Sequence, residues 1–323
     1  MPYNDPSPID KICFIAPSTR LSAKGKPHLD KLVRLLSRAL GVTDIYLSPY
    51  LFTSHKLIEH ITASAEERSR EFKAVIREYD LIASVAGGTG AEDLVFKIDR
   101  ADFRVIKERR PVFIGFSDFT FLLNEIYSRC RVPGIIFPSL RLTKGNSQKI
   151  LALLAGGEAT YTGSFWLTAP PVRKISGIPI GGNLTTFVNF LNRQEPPRLN
   201  WRKHILFIED LGIDLEDLHR LLAALRRHKA FKGIKALVVG SLSAGGGSLQ
   251  VREFQTKALI FINAYLSEVL KMRQKQGRPL PILVALSYGH KIFRNLPAIP
   301  LGGYVSITKS KKMIFRLSKK PKT

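Results

Sequence analysis

The sequence predicts an α/β fold, with an N-terminal doubly wound, mostly parallel sheet domain and a smaller C-terminal α/β domain. Three observations carry this expectation. Short β-branched apolar runs alternate with segments whose apolar residues recur every three or four positions, the pattern of strands joined by helical crossovers. At 323 residues and 45% hydrophobic composition, the chain exceeds the usual size of one core. Between them, the stretch 155–177 (AGGEATYTGSFWLTAPPVRKISG) keeps no period and clusters Gly, Thr and Pro.

In the first half the strand runs are 12–16, 44–47, 81–86, 112–114 and 134–137. Helical spacing fills 28–40, 54–79, 91–98 and 119–129 between them. Strand–helix alternation of this kind requires right-handed crossovers and a sheet covered on both faces. The expected division is therefore a domain over 1–155, a linker over 156–177 and a second domain over 178–323. In that second half, strands are expected at 178–180, 205–208, 236–239 and 282–286, and helices at 184–191, 215–228 and 251–272. No internal repeat or low-complexity tract interrupts the pattern.

Composition sets the partners apart from the fold. Fifty Lys and Arg against 26 Asp and Glu give a net charge of +24, enough to draw anions through long-range fields. No Arg-rich or aromatic-interleaved run dominates, so a basic surface spread over solvated faces is expected, without a specific nucleic-acid site. The tail SKKPKT is expected to fray. Cys13 and Cys130 fall within a strand and a helix and read as buried thiols, not as a disulfide or metal knuckle. No apolar run approaches the roughly 20 residues of a spanning helix, and MPYNDPSPIDK lacks the form of a signal peptide. A cytoplasmic protein without a membrane partner is the expectation.

In open α/β sheets ligands collect beyond the carboxyl ends of strands, so the residues following each apolar run are the candidates for chemistry. After 112–114 the chain turns through Gly115-Phe116-Ser117-Asp118 into an apolar helix. A serine there can project its hydroxyl from a tight turn beside the N–H groups that open the helix. Ser117 or Asp118 as a simple helix cap remains the competing reading. Among seven histidines, His290 alone follows a strand, in the turn Ser287-Tyr288-Gly289-His290. A base needs an acceptor to fix its tautomer, and the strand at 205–208 ends in Glu209-Asp210. That pair could equally cap or ion-pair the helix near Asp214. The turn Ala86-Gly87-Gly88-Thr89-Gly90 lets backbone N–H groups approach a substrate, as an oxyanion hole or a phosphate cradle. Its spacing matches neither Gly-x-Gly-x-x-Gly nor the P-loop.

Taken in order, several motifs resemble those of the LD-carboxypeptidase family, which includes muropeptide-trimming enzymes and microcin C immunity peptidases. They are Ala16-Pro17-Ser18, Glu67-Arg68, Gly87-Gly88-x-Gly90, Gly115-Phe116-Ser117-Asp118, Gly181-Gly182-Asn183-Leu184, Phe207-Ile208-Glu209-Asp210, and Gly289-His290 with Pro300-Leu301-Gly302. The resemblance runs through most of the chain. It implies Ser117 as nucleophile with Glu209 and His290 completing a triad, the serine on the N-terminal domain and its partners on the other, with no metal or other cofactor. Catalysis would then depend on apposition of the two domains.

Gly88 and Asp118 are the expected oxyanion donors through their backbone N–H groups, and Gly87, Thr89 and Asn183 the expected substrate contacts. The implied substrate is a small peptide ending in a D-amino acid, such as a murein tetrapeptide met during peptidoglycan recycling. A homodimer is the partner that the resemblance implies. Two departures bear on substrate. The turn has Ala86 and Thr89 where muropeptide carboxypeptidases commonly carry Arg and Tyr, and His290 is followed by the bulky, basic 291–294. Two alternatives follow: an immunity-type hydrolase of aminoacyl-adenylate-like amides, or an inactive binding module exploiting the positive charge.

Overall fold

The computed structural model describes residues 8–138, 140, 142–290 and 297–317. The segment 291–294 and the tail 318–323 lie outside them. The chain divides into two compact units. Unit one comprises residues 1–159, 298–303 and 316–323, and unit two 160–297 and 304–315.

Unit one opens with β1 (Lys11–Ile15), α1 (Lys26–Leu40), β2 (Asp44–Leu47), α2 (Ala65–Glu78) and β3 (Leu81–Ser84). It continues through α3 (Ala91–Val95), α4 (Arg100–Arg109), β4 (Val112–Gly115), α5 (Thr120–Cys130), β5 (Gly134–Ile136) and α6 (Lys144–Leu154). The strands β2-β1-β3-β4-β5 lie in that order, all parallel. This is the doubly wound order in which the chain reverses direction of build between β1 and β3, the place where such sheets hold ligands. Helix α1 packs with α6, while α2, α4 and α5 pack together. The apolar stripes explain these contacts: α1 buries Leu29, Leu32 and Leu36, and α2 buries Phe72, Val75 and Ile76.

The expected helix 54–79 begins only at Ala65, because Ser64 and Glu67 form a capping box that fixes its start. Helix α4 was not expected from RADFRVIKER, whose charge hides a short buried stripe of Phe103 and Ile106.

Unit two is built on an eight-stranded sheet. Its strands are β6 (Ala159–Thr162), β7 (Phe165–Trp166), β8 (Ile175–Asn183), β9 (His204–Leu211), β10 (Ala236–Ser243) and β11 (Ile282–Val284). The chain then supplies β12 (Ile299–Leu301), β13 (Tyr304–Ile307) and β14 (Lys312–Arg316). Its helices are α7 (Leu184–Asn192), α8 (Leu215–Arg227), α9 (Ala230–Gly233), α10 (Ser248–Tyr265) and α11 (Ser267–Lys275). The order is β6-β14-β13-β8-β9-β10-β11-β7, parallel from β8 to β11 and antiparallel at β13-β8 and β11-β7. Strand β12 does not join it; it pairs antiparallel with β5 at the edge of the six-stranded sheet of unit one.

Two expectations for the second half are amended. The stretch 156–177 is not a bare linker, since it contributes β6 and β7, and Trp166 Nε1 donates to the Lys309 carbonyl at 2.9 Å. The helix expected over 251–272 is broken at Leu266 into α10 and α11. The strands β12 to β14 were not anticipated. Among the described residues, no helix is long and apolar enough to cross a membrane.

Candidate active site

In unit one the site is built at the carboxyl ends of β1, β3 and β4. Ser117 follows β4 with φ of +58°. Among the described residues, five that are not glycine share such a conformation, and two of them, Arg110 and Arg131, are helix C-caps, where the left-handed region is habitual. Ser117 instead stands between a strand and the start of a helix. A left-handed L-residue costs about 1–2 kcal/mol, so the surrounding turn must impose it. Within that turn the Thr120 hydroxyl donates to the Ser117 carbonyl at 2.6 Å, and the Phe119 ring occupies the space that a Cβ on Gly115 would need.

The helix-cap reading of this turn does not hold: α5 begins without a side-chain cap bond. The Asp118 carboxylate reaches elsewhere, accepting from Ala91 N at 2.7 Å. Burial pushes its pKa up, against the stabilising pull of that N–H. Gly87 abuts the serine, since a Cβ there would sit 2.6 Å from Ser117 Cβ and 3.1 Å from its Oγ. Gly88, with φ of +109°, and Thr89 stand exposed at the tip of the turn. The loop is tied back by Thr19 N, which donates to the Gly87 carbonyl at 3.2 Å.

A residue that sequence reasoning quoted without giving a role is Arg68. It is 3% exposed and its guanidinium donates to the carbonyls of Pro17, Gly90 and Ala63, and pairs with Asp93 at 3.0 Å. The signal was present: Arg68 lies on the same stripe of α2 as the buried Phe72, Val75 and Ile76. A cation in an apolar stripe needs a reason.

In unit two, β9 carries Glu209 and Asp210 on opposite faces of the sheet, as successive strand residues must be. Both are buried, at 0% and 2% exposure, and their surroundings divide their roles. Asp210 accepts four hydrogen bonds, from Asn183 Nδ2 at 2.7 Å, Leu211 N at 2.8 Å, Thr185 N at 2.8 Å and Thr185 Oγ1 at 2.7 Å. It fastens the start of α7. Asn183 is the N-cap of that helix, accepting from Thr186 N at 3.0 Å, so the side chain expected at the substrate is engaged in capping.

Glu209 Oε2 lies 2.6 Å from His290 Nδ1, while Oε1 meets no other hydrogen-bond partner among the described residues. Burial drives the Glu209 pKa up and the adjacent imidazole pulls it down, with burial prevailing. A carboxylate so placed holds the imidazole with Nδ1–H toward it, which puts the ring's lone pair on Nε2.

Local backbone makes this approach possible. The pairing of β9 and β10 slips between Val239 and Leu242, and in that slip Ser241 N donates to the Tyr288 carbonyl at 2.6 Å. Gly289 has φ of +130°, and a Cβ there would meet Ser241 Cβ at 2.8 Å and Glu209 Oε2 at 3.2 Å. Glycine is thus required to bring the 285–290 turn down onto the carboxylate. Among the described residues, no group of three His, Cys, Asp or Glu side chains is placed to hold a metal ion.

Residues 12–136 match the family model for the LD-carboxypeptidase N-terminal domain, and residues 176–307 the model for its C-terminal domain. The chain belongs to the LD-carboxypeptidase family. This is a family of serine peptidases, so the chain is a member of a hydrolase family with carboxypeptidase relatives.

A putative carboxypeptidase of Treponema pallidum is 24% identical, the match covering 78% of this chain and 77% of that protein. The microcin C7 self-immunity protein MccF of Escherichia coli is also 24% identical, over 94% and 92%. A probable murein peptide carboxypeptidase of Bacillus subtilis is 26% identical over 52% and 54%. Among solved structures, MccF in complex with glutamyl sulfamoyl guanosine shares the fold with a TM-score of 0.72 at 20% identity, covering 99% of both chains. The muramoyltetrapeptide carboxypeptidase from Oxalobacter formigenes gives 0.70 at 20% identity, covering 94% and 97%.

Proposed function

We propose that this LD-carboxypeptidase family member is a serine carboxypeptidase that hydrolyses an L,D-peptide bond and releases a terminal D-amino acid, D-alanine, from a cytoplasmic murein tetrapeptide. The observation that carries the reading is the pairing of the buried Glu209 with His290 at 2.6 Å, a carboxylate whose hydrogen-bonded partner is an imidazole at a strand end. Ser117, forced into a left-handed turn beside a glycine loop, is the matching nucleophile.

In this mechanism Ser117 Oγ attacks the carbonyl carbon while its proton passes to His290 Nε2. Glu209 keeps Nδ1–H oriented and balances the imidazolium that forms. Charge on the carbonyl oxygen is met by the backbone N–H groups of Gly88 and Asp118, a contribution of roughly 2.7–4 kcal/mol per donor in comparable sites. The departing amine takes the proton from His290, leaving an acyl-enzyme on Ser117. Water, deprotonated by the same imidazole, then releases the shortened peptide.

The test is release of D-alanine from an L,D-linked tetrapeptide by the parent and by Ser117→Ala. Loss of release in the variant is expected; equal release would remove Ser117 as nucleophile.

A second reading is an amide hydrolase acting on aminoacyl-adenylate-like substrates. It is favoured by the extent of the likeness, since the match to the self-immunity protein covers 94% of this chain and that to the murein peptide enzyme 52%. The altered turn at Ala86 and Thr89 points the same way. Turnover of an aminoacyl sulfamoyl nucleoside alongside the tetrapeptide decides between them.

A further inference from the structure

Two residues outside the proposed triad grip one peptide group next to Ser117. The Gly90 carbonyl accepts from Arg68 Nη1 at 2.6 Å, and Ala91 N–H donates to Asp118 Oδ2 at 2.7 Å. These are the two ends of a single planar peptide unit. A guanidinium holds its oxygen and a carboxylate its N–H, and each bond is charge-assisted, roughly twice as strong as a neutral one.

Fold stability alone is a poor explanation for this arrangement. A buried ion pair is often replaceable by apolar residues without loss, so burying the Arg68 guanidinium gains little that packing could not supply. Its placement is more informative. Pro17 follows β1 and Gly90 follows β3, and Arg68 donates to both carbonyls, across the point where the strand order reverses. No side chain fits at Gly90, where a Cβ would lie 2.7 Å from Arg68 Nη1 and where φ is +120°.

Asp118 extends the clamp to the nucleophile, being the next residue in the chain after Ser117. The glycine turn is therefore fastened at both ends: Gly87 rests against Ser117, and the Gly90–Ala91 peptide is held by Asp118 and Arg68. Gly88 lies between these two fixed points.

We propose that Arg68 and Asp118 are positioning residues that set the orientation of the glycine turn's backbone N–H groups relative to Ser117 Oγ. They thereby govern stabilisation of charge on the attacked carbonyl's oxygen. This rests on the reading of Ser117 as nucleophile and needs no knowledge of the substrate.

A fluorophosphonate tests it directly. Ser117 Oγ bonds to phosphorus as fluoride leaves and the serine proton passes to the base, and the phosphonyl oxygen stands in for the carbonyl oxygen. The second-order labelling rate at Ser117 is followed by mass spectrometry from pH 5.5 to 9, with folded fraction measured in parallel. Asp118→Ala should lower the plateau rate on the order of 10²-fold with the inflection pH unchanged, because the base is untouched. Asp118→Asn keeps an acceptor oxygen and should recover most of the loss, whereas Arg68→Lys, which loses the fork, should also be slow.

Labelling of folded Asp118→Ala within threefold of the parent, or a rate that only tracks the folded fraction, would overturn the proposal. So would a shifted inflection, and if Asp118→Ala does not fold, an undiminished rate in Arg68→Lys does the same. An unlabelled parent, or equal labelling in Ser117→Ala, instead sinks the nucleophile reading and the proposal with it.

Discussion

Replacing Gly87 by alanine should disable Ser117 while leaving the fold in place, and the size of the effect follows from one distance. The added Cβ would stand 2.6 Å from Ser117 Cβ and 3.1 Å from Oγ. Carbon atoms pack at roughly 3.5–4.0 Å, so the serine or the turn must retreat by about 1 Å. A displacement of that size at a reacting atom costs about 10²-fold in rate, or about 2.7 kcal/mol of barrier. Gly87 is not among the residues with positive φ, so an alanine there adds no backbone strain. The assay is the fluorophosphonate labelling rate at Ser117 together with D-alanine release and the thermal midpoint. Gly41→Ala is the matched control: with φ of +70° and nothing within 4 Å, it should lose about 1 kcal/mol of stability and no activity. Labelling of Gly87→Ala within threefold of the parent, or a loss that appears only with unfolding, would refute the reasoning.

Adjacent carboxylates on β9 should respond in opposite ways. Glu209→Gln should leave unfolding nearly unchanged and depress turnover on the order of 10⁴-fold, as happens when a triad acid loses its charge and the imidazole its tautomer. Asp210→Ala should instead cost about 3 kcal/mol in urea unfolding, because the buried donors at Asn183 and Thr185 lose their acceptor. The thiols should be inert in the native state. Burial raises the Cys13 pKa and brings that of Cys130 to about 12 from an ordinary 9.0, and Cys130 Sγ donates to the Phe103 carbonyl at 3.2 Å. A disulfide reagent at pH 8 should therefore titrate neither until denaturant is added. Since the unfolded chain ionises Cys130 near pH 9 and the folded chain does not, this group's contribution to stability should fall as pH rises from about 9 to about 12.

The parallel sheet of unit one was legible because each buried strand is a β-branched run followed by a turn and a helix with an apolar stripe. Helix α4 escaped since only Phe103 and Ile106 mark its inner face among charged neighbours. Strand β12 carries no local signal: IPL becomes a strand through pairing with β5, about 160 residues earlier, a non-local contact whose loop-closure entropy leaves no trace in the local pattern. For the site, strand ends pointed to Ser117, Glu209 and His290, and the structure brings the last two together within unit two. The division of labour between Glu209 and Asp210 was legible only in part, for it depends on which face of β9 meets α7. Arg68 showed itself only as a cation on the apolar stripe of α2, and the Asp118 side chain not at all, because Pro17, Gly90 and the Ala91 N–H, which they hold, lie in loops distant in sequence.

The return of β12 to the first sheet has a consequence for dissecting the chain. A fragment stopped at Ala159 would leave β5 without its antiparallel neighbour, exposing a row of unsatisfied amides and carbonyls that invites self-association. No single cut yields both units whole. Isolating the first unit calls for splicing 298–303 back onto it as a covering strand, or for supplying that hexapeptide in trans to protect the open flank of β5.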